Sequence, residues 1–168
     1  FPLIIVTQIA DALIMPDTVT VGGAFIPKPF RPSADCDGLT TSVGVTKEWS
    51  ESLKAWEIHG TDANDVIIGT DDNDIISGGD GNDIICGLGG VKDILEGGRG
   101  DDVLYGGPGI NSINGGDGND VIYGDEQSDT VYGDYGDDVI LGWGGDDFLS
   151  GDWGNDAIFG LDGVDNLN

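Results

Sequence analysis

The chain has 168 residues and a formal net charge of −26, from 32 acids against six Lys and Arg. One domain is the natural expectation for this length. No basic stripe exists, which disfavours a nucleic-acid partner and leaves a cation as the partner of matching sign.

The charge is unevenly spread. Residues 1–59 carry seven acids and four bases, and residues 60–168 carry 25 acids and two bases. Phe1 to Ile14 is apolar but too short to span a bilayer and has no basic leader, so no membrane span is expected. It reads as a mature N-terminus left by processing, with strand propensity over Leu3 to Ile9. Thr18 to Val21 and Ala24 to Ile26 are expected to pair around Gly22-Gly23. Pro27, Pro29 and Pro32 make the following stretch extended and unfit for a central strand. Ser33 to Gly44 reads as loop. Thr46 to Ile58 leaves two readings open. Trp49, Leu53 and Trp56 have helical spacing, which suits a short capping helix. Alternatively, Ala55 to Ile58 is a degenerate strand preceding the repeats, with Ile58 inward.

From Gly60 the chain divides into twelve units, eleven of nine residues and one (Gly87 to Glu96) of ten. The pattern is Gly-Gly-x-Gly-x-Asp-x-U-x, with U a large aliphatic residue. It is clearest at Gly78-Gly79-Asp80-Gly81-Asn82-Asp83-Ile84-Ile85-Cys86 and at Gly115-Gly116-Asp117-Gly118-Asn119-Asp120-Val121-Ile122-Tyr123. Column one is always Gly, column six is Asp except at Asn111, and column eight is always Ile, Leu or Val. The glycines allow a tight turn and the last three residues a short strand with column eight pointing inward. One unit cannot bury that residue alone, but stacked units can, which makes a solenoid. Stacking also aligns the column-six carboxylates, whose repulsion a hard cation held by oxygens relieves. Calcium, with six to eight oxygen ligands, fits best. Without it, so many carboxylates outweigh one thin aliphatic core and disorder is expected.

At these residues the chain resembles the RTX, or haemolysin-type, calcium-binding repeat family, over residues 60–168. The resemblance implies a secreted all-β protein: a parallel β-roll of two parallel sheets, each turn sharing several Ca2+ ions with the turn two units away, behind an N-terminal non-repeat β-rich segment (1–59). Odd and even units then line opposite sheets and opposite edges. All odd turns end in Asn-Asp or Asp-Asp, so Asp65, Asp83, Asp102, Asp120, Asp138 and Asp156 are the expected metal ligands along one whole edge. The even edge departs from the family pattern at Lys92, Pro108, Asn111 and Gln127. A patchier set is expected there, with Asp74, Asp147 and Asp165 the better candidates. Some of these aspartates alternatively serve only to cap turns.

In such a roll, columns seven and nine face outward. On the odd sheet they are all apolar or aromatic, from Val66 and Ile68 to Ala157 and Phe159, and soluble monomers rarely leave such a strip uncovered. The N-terminal segment or another subunit is the expected cover. Cys86 lies on this face. As there are only two cysteines, a Cys36–Cys86 disulfide would tie the non-repeat segment onto it; the alternative is two unpaired thiols. Family members exported in one step are typically poor in cysteine, so a disulfide points to passage through an oxidising compartment.

Enzyme chemistry finds little support and no activity is expected. His59, the sole histidine, reads as a solvated residue beside the first turn, and neither a Gly-x-Ser-x-Gly elbow nor zinc spacing is present. Stacked Tyr105, Tyr123, Trp143 and Trp153 suit packing better than carbohydrate binding. The chain stops one residue beyond Leu167, which leaves an open sheet edge. The expectation is a secreted structural protein at the cell surface. It would self-assemble into an extracellular filament or surface layer as a homo-oligomer or polymer, through the open end, the apolar odd face and the N-terminal strand. The alternative is a module of a larger secreted adhesin or hydrolase.

Overall fold

The structure, a computed structural model, describes residues 18–21, 24–27 and 39–168. Two compact units divide the chain, Phe1–Phe30 and Arg31–Asn168. In the first, β1 (Thr18–Val21) and β2 (Ala24–Pro27) form an antiparallel pair with Val21 opposite Ala24. This is the expected hairpin. Pro27 is tolerated because both strands of a two-stranded sheet are edges. The strand expected over Leu3 to Ile9, the Pro29 to Pro32 stretch and Cys36 lie outside the described residues.

The second unit opens with β3 (Thr46–Ser50) and β4 (Ala55–His59), which pair antiparallel with Trp49 opposite Trp56. The capping helix does not form. Leu53 falls in the turn, which Lys54 N–H closes by donating to Ser50 O at 2.8 Å. The two indoles meet edge to face at 5.5 Å. The helical spacing loses to a cross-strand aromatic pair and to the parallel docking of β4 on the repeats. Ile58 is buried, so Ala55–His59 is a rung in its own right.

Above it the repeats alternate between two parallel sheets. One contains β4, β6 (Asp74–Asp80), β8 (Ile94–Arg99), β10 (Ser112–Asp117), β12 (Thr130–Tyr135), β14 (Phe148–Ser150) and β16 (Asn166–Leu167), with β3 at its edge. The other contains β5 (Val66–Thr70), β7 (Ile84–Leu88), β9 (Val103–Tyr105), β11 (Val121–Asp125), β13 (Val139–Gly144) and β15 (Ala157–Asp162). Ile67 pairs with Ile85 and Ile122 with Ile140, two units on. Two units therefore make one turn of a β-roll.

The core is one residue wide. Column-eight side chains from Ile67 to Leu149, with Ile58 beneath them, form a single apolar cluster between the sheets. Each is worth about 1.5–3 kcal/mol of burial. Ile158 is only half-buried. Leu167, expected inward, is 50% exposed on β16, which pairs on one side only.

Stacking also overrides local backbone preference. Column two is left-handed at Gly98 and Gly116, and equally at Leu88, Asp125, Asp134, Trp143, Asp152 and Leu161. A non-glycine residue held there costs about 1–3 kcal/mol, which the rungs on either side must offset. At column four Gly118 is indispensable: its φ is 147°, and a Cβ would run into Gly100 O.

The first rungs are closed. β3 presents the exposed Lys47 and Glu48 at the edge of its sheet, a charged guard against further pairing. On the other sheet, Ser42 N–H donates to Val66 O at 2.9 Å and Ser42 Oγ accepts from Val66 N–H at 2.8 Å. The outward faces differ as their composition predicts. Cys86, Val103, Tyr105 and Leu141 on the odd sheet are buried, and Tyr105 stacks on Tyr123 with ring centroids 4.9 Å apart. On the even sheet Ile94 and Tyr132 are exposed.

Candidate metal centres along the turn edges

The β-strands fix the rise between turns, and the turns carry column six up each edge. On the odd edge each carboxylate from Asp83 onward reaches back one full turn. Asp65 N–H donates to Asp83 Oδ1, Asp83 N–H to Asp102 Oδ1, Asp102 N–H to Asp120 Oδ1 and Asp120 N–H to Asp138 Oδ1, all at 2.8 Å. Asp138 N–H donates to Asp156 Oδ1 at 3.0 Å. The even edge repeats this from Asp74 through Asp93, Asn111, Asp129 and Asp147 to Asp165, at 2.7–3.1 Å. All nine aspartates expected as ligands therefore lie in the two ladders. So do Asp93 and Asp129, which the irregular even turns had obscured.

One oxygen of each carboxylate that reaches back is thus spent. The other, in seven of them, has no partner. Oδ2 of Asp83, Asp93, Asp102, Asp120, Asp129, Asp138 and Asp147 is buried without a hydrogen bond. These oxygens do not stand alone. A Cβ placed on Gly78 would strike both Asp83 Oδ2 and Gly97 O, and one on Gly97 both Asp102 Oδ2 and Gly115 O. The bare α-carbon of column one therefore leaves a cradle where a carboxylate oxygen and a main-chain carbonyl converge. Burial, ahead of repulsion from neighbouring carboxylates, pushes Asp138 up to about 6, Asp93, Asp102 and Asp120 to about 7, and Asp129 to about 8. It also raises Asp74, Asp83 and Asp147. A buried, unpartnered carboxylate must take either a proton or a cation.

The residues fit a hard cation. Among the described residues, no three His, Cys, Asp or Glu side chains gather as a metal cluster. A cation at these edges would therefore complete its oxygens from backbone carbonyls and water, as calcium readily does.

Three turns differ. Asp65 Oδ2 accepts from Thr61 N–H and from Thr61 Oγ1, both at 2.7 Å. Asp74 Oδ2 accepts from Thr70 N–H at 2.6 Å. These two aspartates cap their own turns. At Asn111 an amide stands where the orphan oxygen would be, and Nδ2 donates to Gly107 O at 2.7 Å. That turn satisfies itself.

A second ladder runs up the odd edge in the opposite sense. Asn82 N–H donates to Asn64 Oδ1, Asp101 N–H to Asn82 Oδ1, Asn119 N–H to Asp101 Oδ1, Asp137 N–H to Asn119 Oδ1 and Asn155 N–H to Asp137 Oδ1. This is what the Asn-Asp and Asp-Asp endings of the odd turns provide. Amide and acid interleave from Asn82 onward, which limits like-charge stacking.

Cys86 is wholly buried and is not a free thiol. Its expected partner, Cys36, lies outside the described residues. His59 is exposed at the end of β4. No helix among the described residues is long and apolar enough to cross a membrane. A family model described as RTX calcium-binding nonapeptide repeat (4 copies) matches residues 59–91, 96–131, 105–140, 123–158 and 132–167. No curated protein and no solved structure matches the chain.

Proposed function

The chain belongs to the RTX calcium-binding nonapeptide-repeat family, and we propose that it works outside the cell as a calcium-ordered structural β-roll with no catalytic role. Its repeats bind several Ca2+ ions. The observation that carries the reading is the line of buried Oδ2 atoms without a donor. Calcium supplies the positive charge that such a line requires. The chain supplies the rest: column-one glycines leave room, Oδ1 locks each Asp to the turn before it, and Oδ2 stays free. Asp83, Asp102, Asp120 and Asp138 are the principal ligands on the odd edge, with Asp156 beyond them. Asp93, Asp129 and Asp147 serve on the even edge, with Asp165 beyond. Asp65 and Asp74 divide their carboxylates between this task and their threonines. A β-roll that is ordered only where calcium is plentiful suits the extracellular side, and a Cys36–Cys86 disulfide formed there would fasten the non-repeat segment to the odd face.

Such a β-roll has two settings, a self-assembling subunit of a filament or surface layer and a module of a larger secreted adhesin or hydrolase. The charged β3 at the first rung favours the second, since head-to-tail stacking there would have to displace it. Sedimentation and far-UV dichroism, in calcium and then in chelator, test both. A compact calcium-dependent monomer is expected. Ordered polymers that dissolve in chelator would establish the filament instead, and an equally ordered chain in chelator would overturn the calcium-ordered β-roll.

A further inference from the structure

The outer face of the even sheet carries a groove lined by none of the column-six aspartates. It measures about 400 Å3 and is lined by Ser77, Glu96, Asn114, Asp134, the glycines 79, 98 and 116, and a row from column three. That row is in register from rung to rung: Asp80 beside Arg99, Arg99 beside Asp117, and Asp117 beside Tyr135; one rung beyond the groove, Trp153 stands beside Tyr135. From this arrangement we propose that the groove binds a short neutral oligosaccharide.

The floor is bare because column two is glycine on three successive rungs. It ends where Asp134 replaces that glycine in a left-handed conformation and accepts Asn114 Nδ2 at 2.9 Å. Asn114 Oδ1 is left buried with no partner. At about 4.8 Å per rung, the open floor has the length of a few sugar rings.

The walls supply what a polyhydroxyl ligand needs. Arg99 lies loosely between Asp80 and Asp117, at 3.7 and 3.8 Å, and all three are exposed, so their remaining donors and acceptors are free to meet hydroxyl pairs. Tyr135 and Trp153 are stacked, with ring centroids 6.1 Å apart, yet 58% and 70% exposed. An aromatic stack left in water offers an apolar face to the C–H side of a sugar, at the end of a polar trough.

Other ligand classes fit less well. The floor strands β6, β8 and β10 are paired on both sides, so an extended peptide finds no free edge. The lining is too polar for a lipid. Asp80, Glu96, Asp117 and Asp134 around a single Arg99 repel an anionic glycan.

Titration calorimetry of the full chain in calcium, with cello-, malto- and mannotriose, triacetylchitotriose and an acidic trigalacturonate as probes, tests the site. At least one neutral trisaccharide is expected to bind. Tyr135→Ala and, separately, Arg99→Ala are each expected to weaken it tenfold or more, while calcium-dependent dichroism stays unchanged. Trp153→Ala serves as a second aromatic variant should Tyr135→Ala disturb the fold. Three results overturn the proposal: no neutral sugar bound at millimolar concentration, binding indifferent to all these variants, or trigalacturonate preferred over every neutral probe. None of them bears on the calcium reading.

Discussion

Asp102 Oδ1 holds the backbone N–H of Asp83 at 2.8 Å, one roll turn away, while Asp102 Oδ2 is buried with nothing to bond. One side chain therefore does two incompatible-looking things. It cements consecutive turns as any hydrogen bond would, and it exposes the pair to an uncompensated charge. The two effects separate under substitution.

Asp120→Asn keeps an oxygen for Asp102 N–H and removes the charge. In calcium the variant is expected to lose about 1.5–3 kcal/mol, the usual worth of a bond to a charged group. In chelator it should be no less ordered than the parent, because a burial penalty has gone. Thermal melts in the two buffers check this; equal destabilisation in both would mean that Asp120 is only a turn brace.

Asn111→Asp is the converse. It deletes the bond from Nδ2 to Gly107 O and places an orphan oxygen on the even edge. More calcium per chain is expected by equilibrium dialysis, with a loss of about 1–3 kcal/mol in chelator. An unchanged calcium count would show that this stretch of the edge lacks some other oxygen.

The metal-free roll should prefer acid. Burial lifts Asp93, Asp102, Asp120, Asp129 and Asp138 from an ordinary 3.8 to about 6–8. The folded state then holds protons that the unfolded chain has released. Their contribution is fully present below about 4 and is lost as pH rises through about 6–8. With calcium the sense reverses, since the ligands must be deprotonated. Dichroism in chelator should show more β structure at pH 5 than at pH 8, and the calcium midpoint should shift to higher concentration on acidification. A metal-free chain equally unfolded at both pH values would contradict this.

Core and end rungs should respond differently. Ile122→Ala opens a cavity in a core one residue wide and is expected to cost about 2–5 kcal/mol. Leu167→Ala, at a half-exposed position, should stay within about 0.5 kcal/mol. Calcium-saturated denaturant melts measure both.

Much of this architecture could be read before any coordinates. Column eight announced the core because no other residue class repeats there, and column six announced the edges. Trp49, Leu53 and Trp56 were ambiguous because a helix and a hairpin both place aromatics on one side. What decided between them was β6, eighteen residues from β4 and invisible to local spacing. Asp93 was masked by the extra residue of its own unit and Asp129 by the polar Gln127 turn, yet both reach the ladder, because register is set by the strands and not by the turn lengths. The Thr61 and Thr70 bonds had a visible signal, a hydroxyl in column two where no other turn carries one. The groove had none. Its residues lie on different rungs, and only the register brings them into one row.

The closed first rung has a kinetic counterpart. β3 and β4 meet across a four-residue turn, which is the cheapest closure in the roll, whereas every later pairing must close a loop of a full turn. Once that hairpin stands, β4 offers a ready edge to β6, and each completed rung offers the next. Growth then has a direction, from β4 toward β16, and the early turns can harden while the later ones are still searching. Shortened by whole turns from the far end, the roll would remain a smaller roll. Deprived of residues 46–59, it would keep nearly all of its calcium sites and lose the seed on which they are built.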